Sequence, residues 1–253
     1  MSRQSSSNTL ISVRKEKSLR GQVALITGAT RGIGRALGQA LATQGCDLIL
    51  TSRSQPDLAR IRRELSRGKR RILVEPCDVR DPSSVDALLR SIRKQFGRLD
   101  ILINNAGIAH PNLPIDQLPF DLWKDVMATN LDAMFLITQA ALPLMKRGGT
   151  IVNNLSIAAT RVFAGSAAYN ASKHGALGFT NTLREELRPK GIRVIGLLPG
   201  ATDTDIWKTL WPEAPRGKMM SPKTVAEAVV CAITLDSRAT VETLEILPTS
   251  GTL

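Results

Sequence analysis

The chain has 253 residues, of which 43% are hydrophobic; this is enough for one sizeable globular domain and does not require two. Its mean hydropathy is −0.03, and no apolar run approaches the ~18 residues of a membrane span, so composition excludes a membrane protein and a disordered polar chain alike. The formal net charge is +12, which would suit an anionic partner, and the chain has a single tyrosine.

The excess positive charge is concentrated in two segments. Residues 1–20 carry +4 and residues 53–71 carry +6, so the remaining chain is close to neutral. Each segment is interpreted either as a solvated surface or, near residue 53, as part of an anion site. The polar, serine-rich segment 1–20 is predicted to be a flexible tail, with a transit peptide as the alternative, and 21–253 to be one catalytic domain.

Short apolar runs alternate with longer amphipathic stretches from residue 21 onward. The runs are predicted to be buried strands, at 23–27, 47–51, 71–75, 101–104, 150–154, 192–197 and 243–247. Helices are predicted at 33–44, 56–67, 82–96, 121–147, 166–188 and 222–235. This alternation predicts an α/β fold, a doubly wound (Rossmann) sheet of seven parallel strands with helices on both faces.

The cysteines and histidines of the chain indicate its redox compartment and whether it has a metal site. Cys46, Cys77 and Cys231 are widely spaced and form no CxxC motif, which predicts buried thiols in a reducing compartment and hence a cytoplasmic protein. The two histidines lack a nearby pair of carboxylates, so no metal site is predicted.

The first predicted strand runs directly into TGATRGIG (27–34), and a helix follows. Glycine lets the backbone turn tightly and lets a phosphate approach, while a helix start offers free N–H groups to a pyrophosphate. Three residues, rather than one, separate the first two glycines. The context still predicts a dinucleotide site, with cofactor contacts at Gly28, Thr30, Arg31, Gly32, Ile33 and Gly34.

The second predicted strand ends in Leu50-Thr51-Ser52-Arg53 and lacks the acidic residue that NAD enzymes use to hold the ribose hydroxyls. Ser52 and Arg53 there, with Arg31 in the glycine loop, suit a 2′-phosphate, because a guanidinium binds phosphate as a bidentate fork. NADP(H) is therefore predicted over NAD(H); the alternative is that both arginines are merely solvated.

The single tyrosine, Tyr169, precedes Lys173 by four residues on a predicted helix, so both polar heads lie on one face. Ser156 follows the preceding strand. An adjacent ammonium is expected to lower the tyrosine pKa from about 10 toward neutral pH, and Ser156 to stabilise a developing alkoxide. The alternative is a packed aromatic residue and a strand-end cap.

With these motifs the chain resembles the short-chain dehydrogenase/reductase family, in its single-domain branch, over roughly residues 20–250. The matching motifs, in family order and spacing, are TGATRGIG (27–34), Cys77-Asp78-Val79, Asn104-Asn105-Ala106-Gly107, Asn130, Ser156, Tyr169-Asn170-Ala171-Ser172-Lys173 and Pro199-Gly200.

This resemblance implies hydride transfer between NADP(H) and a carbonyl or secondary alcohol substrate, with Tyr169 exchanging the proton. It implies that Lys173 also holds the nicotinamide ribose, and that Asn130 holds a water that resupplies protons. Further cofactor contacts are implied at Asp78, Val79, Asn104, Asn105, Ala106, Gly107, Tyr169, Pro199, Gly200, Thr202 and Thr204. Thr202 stands where the family usually has Val. Homodimers or homotetramers packed through 121–147 and 166–188 are implied as well.

Substrate contacts are less constrained. His110 follows the Asn104–Gly107 motif and is interpreted either as a substrate contact or as a solvated loop residue. Trp207 and Trp211, with Met219 and Met220, lie in the irregular segment 198–221 and suggest an apolar lid. His174 is interpreted as a packing residue.

Several functions remain open at this point. The substrate is either an apolar ketone or hydroxysteroid-like compound, or a 3-oxoacyl thioester. Lys208, Arg216 and Lys218 would suit an acidic substrate or an acyl carrier protein. The C-terminal sequence LEILPTSGTL, however, lacks the glycine-pair ending of many 3-oxoacyl carrier-protein reductases. A catalytically silent NADP(H)-binding sensor is a second class. A nucleic-acid binder is a third, disfavoured by the scarcity of aromatic residues. A small-molecule substrate is expected, with neither nucleic acid nor membrane as partner.

Overall fold

The computed structural model describes residues 18–66 and 70–252. Seven parallel strands form one sheet in the order β3-β2-β1-β4-β5-β6-β7. The order reverses beside β1, and this switch point opens a crevice at the carboxyl ends of the strands. The strands are β1 (Val23–Thr27), β2 (Asp47–Ser52), β3 (Ile72–Pro76), β4 (Leu99–Asn104), β5 (Met145–Asn154), β6 (Arg193–Pro199) and β7 (Thr243–Ile246).

Helices connect the strands and supply the rest of the layers. They are α1 (Gly32–Thr43), α2 (Gln55–Leu65), α3 (Pro82–Gln95), α4 (Phe120–Met127), α5 (Ala133–Ala141), α6 (Ala167–Leu187), α7 (Trp207–Leu210) and α8 (Pro222–Thr234). Asp81 and Ser221 cap α3 and α8 by accepting hydrogen bonds from first-turn N–H groups, and a proline follows each cap.

Successive residues of β1 pack into two different cores. Ala24 and Ile26 pack with residues of α1, α2 and α8, whereas Val23 and Leu25 pack with residues of α3, α5 and α6. All five residues of the strand are buried, because a central parallel strand is covered on both faces. The doubly wound, seven-stranded parallel fold predicted from the sequence is confirmed.

The helix predicted over 121–147 is interrupted. After α4 the chain forms a π-helical turn over Ala128–Asp132, continues as α5, and passes through a 3-10 turn at Leu142–Leu144 into β5. Pro143, which lacks a backbone N–H, lies in that 3-10 turn and marks the helix end. The π turn places Asn130 toward the site described below.

The folded body begins earlier than the predicted boundary at residue 21. Leu19 is 1% exposed within the core, and the Cys46 thiol donates to its carbonyl oxygen over 3.6 Å. Residues 1–17 of the predicted tail, and 67–69 of the basic segment, lie outside the described residues.

The described cysteines are all free thiols, and Cys231 is exposed rather than buried as expected. No helix within 18–66 and 70–252 is long and apolar enough to cross a membrane. Within the same ranges, no cluster of three or more His, Cys, Asp or Glu side chains could hold a metal ion.

Candidate active site

A cleft of about 1060 Å³ opens at the carboxyl ends of the strands. It brings together residues that follow each of the strands β1 to β6 and residues of α4 and the π turn, and most of the residues singled out in the sequence line it. These are Gly28, Thr30, Arg31, Gly32, Ile33, Ser52, Arg53, Asp78, Val79, Asn105, Ala106, Gly107, Ser156, Tyr169, Lys173, Pro199, Gly200, Thr202, Thr204, Trp207 and Trp211. Gly34, Asn104, Asn130 and His110 do not line it.

The glycine loop has the backbone geometry that only glycine adopts readily. Gly28 and Gly32 have φ of +63° and +53°. Gly34 lies behind the loop instead of facing the cleft: a Cβ there would lie 2.3 Å from the Gly28 carbonyl oxygen and 2.4 Å from Asn105 Nδ2. Gly34 thus lets the start of α1 pack directly against the loop.

A second set of contacts fixes this loop to the end of β4. The Thr27 hydroxyl accepts hydrogen bonds from the backbone N–H groups of Asn105 and Ala106, at 2.9 and 3.0 Å. Asn105 Nδ2 donates to the Thr27 carbonyl oxygen at 2.9 Å. Sequence reasoning missed this role of Thr27, although a hydroxyl at the last position of the first strand was a visible signal.

One end of the cleft is rich in charge. Asp78 forms a salt bridge of 2.8 Å with Arg80, which also pairs with Asp125 at 3.4 Å. The Arg80 hydrogen bonds, helped by the charge of Arg53, lower the pKa of Asp78 to about 2. Arg31 and Arg53 are exposed and, within 18–66 and 70–252, form no salt bridge. Two guanidiniums are therefore available to an anion here.

The other end of the cleft holds Ser156, Tyr169 and Lys173. Ser156 follows β5; its Oγ accepts from the backbone N–H of Ala158 at 3.1 Å, and its hydroxyl is near enough to Tyr169 to act on the pKa of that phenol. Lys173 lies one helical turn after Tyr169 on α6, with Nζ 5.6 Å from the tyrosine ring centroid. The structure brings these three groups together, as the i, i+4 spacing predicted.

Burial sets the protonation of this group. It raises the pKa of Tyr169, an effect that the hydrogen bond with Ser156 partly offsets. It lowers the pKa of Lys173 to about 8. The sequence predicted that Lys173 would lower the pKa of Tyr169, but burial raises it instead. Lys173 Nζ donates its hydrogen bond to the Asn154 carbonyl oxygen, at 3.1 Å. The Tyr169 hydroxyl is consequently in its protonated, donor form at neutral pH.

Asn130 is buried behind the cleft wall. Its side chain accepts from the Ile108 backbone N–H at 2.8 Å, and donates to the Ile108 carbonyl oxygen at 2.9 Å and to the Ser172 hydroxyl at 3.0 Å. The π turn that carries Asn130 is thereby tied to the segment after β4 and to α6. The roles of Ile108 and Ser172 as its partners were not visible in the sequence.

His110 differs from both of its sequence interpretations. It is 0% exposed and outside the cleft lining, with Nδ1 2.7 Å from the Pro111 carbonyl oxygen. The chain that follows His110 is held to the segment before α6 by a hydrogen bond of 2.9 Å from the Leu113 N–H to the Gly165 carbonyl oxygen. His110 is therefore neither a solvated residue nor placed to contact substrate.

The segment 198–221 covers the catalytic end of the cleft. Its two ends are held by a parallel bridge between Thr202 and Met220, and α7 lies between them. Trp207 and Trp211 line the cleft, whereas Met219 and Met220 do not. The predicted apolar cover is thus built from the tryptophans, and the methionines lie at its base.

Fold and site define a dinucleotide-binding α/β protein whose cleft carries a serine, a tyrosine and a lysine at its catalytic end. The family model of the short chain dehydrogenases matches residues 22–215. The chain belongs to this family of oxidoreductases, the short-chain dehydrogenases/reductases.

Relatives and solved structures match most of the chain. The 3-oxoacyl-[acyl-carrier-protein] reductase of Vibrio cholerae is 38% identical over 222 residues, which are 83% of this chain and 89% of that protein. An alcohol dehydrogenase from the archaeon Thermococcus sibiricus, complexed with 5-hydroxy-NADP, has a TM-score of 0.85 at 30% identity, covering 91% of this chain and 97% of that one. The 3-ketoacyl-(acyl-carrier-protein) reductase of Brucella melitensis, complexed with NADH, has a TM-score of 0.83 at 30% identity over 92% and 99% of the two chains.

Proposed function

We propose that this oxidoreductase transfers hydride between NADP(H) and a carbonyl or secondary alcohol substrate. The observation that carries the proposal is that Ser156, Tyr169 and Lys173 line the same cleft, with Lys173 one helical turn after Tyr169 and its Nζ 5.6 Å from the tyrosine ring centroid. A protonated phenol beside a hydroxyl is the arrangement needed to bind and protonate an oxygen that becomes an alkoxide.

The cleft fits a dinucleotide with a 2′-phosphate. The left-handed glycines and the start of α1, which has no side-chain cap, suit a pyrophosphate. Arg31 and Arg53, exposed at the charged end, suit the additional phosphate. The similar structures include both an NADP-type and an NADH complex, so the preference for NADP(H) rests on these two arginines.

Bound in this cleft, NADPH supplies the hydride for a carbonyl carbon. Ser156 hydrogen-bonds the substrate oxygen, and Tyr169 gives it a proton as negative charge develops. Lys173 is proposed to contact the nicotinamide ribose. Asn130, whose side chain is engaged by Ile108 and Ser172, positions this end of the site; the water predicted beside it stays a prediction.

A 3-oxoacyl thioester is the second candidate substrate. It is supported by the activity named for the Vibrio cholerae and Brucella melitensis proteins, each at least 30% identical to this chain. Cytoplasmic location and assembly into homodimers or homotetramers also stay predictions.

The variant Tyr169→Phe distinguishes the proposed enzyme from a protein that binds NADP(H) as a sensor without catalysing a reaction. The variant keeps the ring and its packing, so NADPH affinity and thermal stability are expected to stay near wild type, while kcat for a ketone falls about 100-fold or more. NADPH oxidation with a panel of carbonyl compounds gives the rate. Turnover near the wild-type rate in the variant would exclude Tyr169 as proton donor.

A further inference from the structure

Charged side chains are distributed unevenly between the two halves of the cleft. Six side chains that are charged at neutral pH line the half beyond β1, β2 and β3, namely Arg31, Arg53, Asp57, Asp78, Arg80 and Asp125. The half beyond β5 and β6 has only two such side chains within the described part of the chain, Lys173 and Asp205. The substrate half of the cleft is thus a mostly uncharged surface.

Large apolar side chains form most of this second half. They come from the segment after β5 and from the cover above β6, and they are Leu155, Val162, Phe163, Ile206, Leu210 and Trp211. Val162 and Trp211 are 79% and 42% exposed, so apolar surface continues out to the mouth. Exposed apolar surface at the mouth of a cleft marks a ligand-binding region.

One tryptophan gives this wall a fixed shape. Trp207 Nε1 donates to the Thr202 carbonyl oxygen at 2.9 Å, and Thr202 is buried at the base of the cover. The indole N–H is thereby satisfied within the protein. The indole ring at the cleft offers apolar contact and no donor to a ligand.

The surface cations nearest this half are already paired. Lys208 forms a salt bridge with Asp205 at 2.7 Å, Arg216 with Asp203, and Arg161 with Glu245 at 2.8 Å. Lys218 does not line the cleft. Lys173 lines this half and donates only to a backbone carbonyl oxygen, but the proposed function assigns it to the nicotinamide ribose. A carboxylate or phosphate on the substrate would therefore leave water for an apolar wall without gaining a cation of its own, which is unfavourable.

We infer that the part of the substrate held in this half is a neutral, apolar ketone or its alcohol, bound without a charged handle, and not an acid. This inference rests on the proposed function. It is specific to the substrate half, because the charged half beside Arg31 and Arg53 is assigned to the nucleotide.

A matched substrate pair tests the inference with NADPH in excess. The pair is the methyl ester and the free carboxylate of one aryl-alkyl ketone, which differ in charge and little in shape. The ester is expected to have a kcat/KM about 30-fold higher, and each methylene added to a dialkyl ketone to raise kcat/KM about threefold. A 3-oxoacyl thioester of N-acetylcysteamine, and the same acyl group on phosphopantetheine and on an acyl carrier protein, complete the series.

Two substitutions sharpen the test from the protein side. Asp205→Ala removes the salt-bridge partner of Lys208, so that Lys208 can pair with a substrate carboxylate. The ratio of kcat/KM for the ester to kcat/KM for the carboxylate is then expected to fall by up to about fivefold, which corresponds to the attraction of two unit charges in contact in water. Trp211→Ala is expected to lower kcat/KM for large ketones and to spare acetone. Lys223→Ala changes an exposed residue of α8 and is the control. It should alter neither the preference for ester over carboxylate nor the preference for large ketones over acetone.

The experiments distinguish failure of this inference from failure of the proposed function. A carboxylate used as well as or better than the matching neutral ester, in a reaction that Tyr169→Phe abolishes, overturns this inference and leaves the proposed function intact. If no carbonyl compound is turned over, the proposed function fails. Quenching of tryptophan fluorescence in a Trp123→Phe background then still compares ester with carboxylate binding, and equal affinity for the two overturns the inference.

Discussion

Lys173 donates a hydrogen bond from Nζ to the backbone carbonyl oxygen of Asn154, at 3.1 Å, in a place where the lysine side chain is only 5% exposed. A single carbonyl replaces little of the water that an ammonium loses on burial. The protein therefore holds Lys173 in this place at a cost in stability, and that cost is measurable.

The stability of the protein is expected to depend on the protonation of Lys173. Its pKa is about 8 in the folded chain against the ordinary 10.5. Between these values the unfolded chain binds more protons at this position, so the contribution of Lys173 to the free energy of unfolding rises with pH, by about 3 kcal/mol in all. Lys173→Met removes this dependence; it should be about 2 kcal/mol more stable than wild type at pH 7, and inactive.

Urea unfolding at several pH values between 7 and 10 measures this difference. Lys190→Met, at an exposed position after α6, is the matched control and should follow wild type. Parallel pH profiles for wild type and Lys173→Met would show that Lys173 is not shifted.

Asn130 is expected to hold the π turn in place. Asn130→Ala removes three hydrogen bonds and leaves both backbone polar groups of Ile108 without their partner, which should lower the free energy of unfolding by about 3 kcal/mol. Hydrogen exchange at the Ile108 amide should accelerate well beyond the global change. Asn181→Ala, on the exposed face of α6, is the control, and an unchanged Ile108 amide would contradict the assignment.

The strands were predictable because their signal is local. Every residue of β1 is buried, so its run of apolar residues identifies the strand without reference to the rest of the chain. The glycine loop was predictable for the same reason, since positive φ at Gly28 and Gly32 is a requirement of the local backbone.

What the sequence did not reveal depends on partners distant along the chain. The π turn follows from the bonds of Asn130 with Ile108, 22 residues earlier, while the local sequence is compatible with a continuous helix. His110 is 0% exposed although it lies in an irregular segment, and its burial depends on the tertiary packing of that segment. The raised pKa of Tyr169 follows from burial, which spacing alone does not report.

Arg53 is expected to decide between the two nicotinamide dinucleotides. Arg53→Asp removes a charged donor and adds a carboxylate near the ribose, so the Kd for NADPH should rise about 10- to 100-fold while that for NADH stays equal or falls. Fluorescence titration gives both constants. Arg90→Asp makes the same charge change at an exposed position of α3 outside the cleft lining, and it should leave the ratio unchanged. An unaltered ratio in Arg53→Asp would leave NADP(H) preference without a structural basis.

Two glycines of α1 are expected to respond in opposite directions to the same substitution. In Gly34→Ala the added methyl meets the Gly28 carbonyl oxygen at 2.3 Å, and backbone cannot yield cheaply, so unfolding free energy should fall by about 3 kcal/mol and NADPH affinity with it. In Gly38→Ala the nearest atom is a Leu50 methyl at 3.6 Å, ordinary contact distance. There the better helix propensity of alanine should stabilise the protein by up to about 1 kcal/mol. Urea unfolding and NADPH titration of both variants provide the comparison, and equal effects at the two positions would refute the close packing of α1 on the glycine loop.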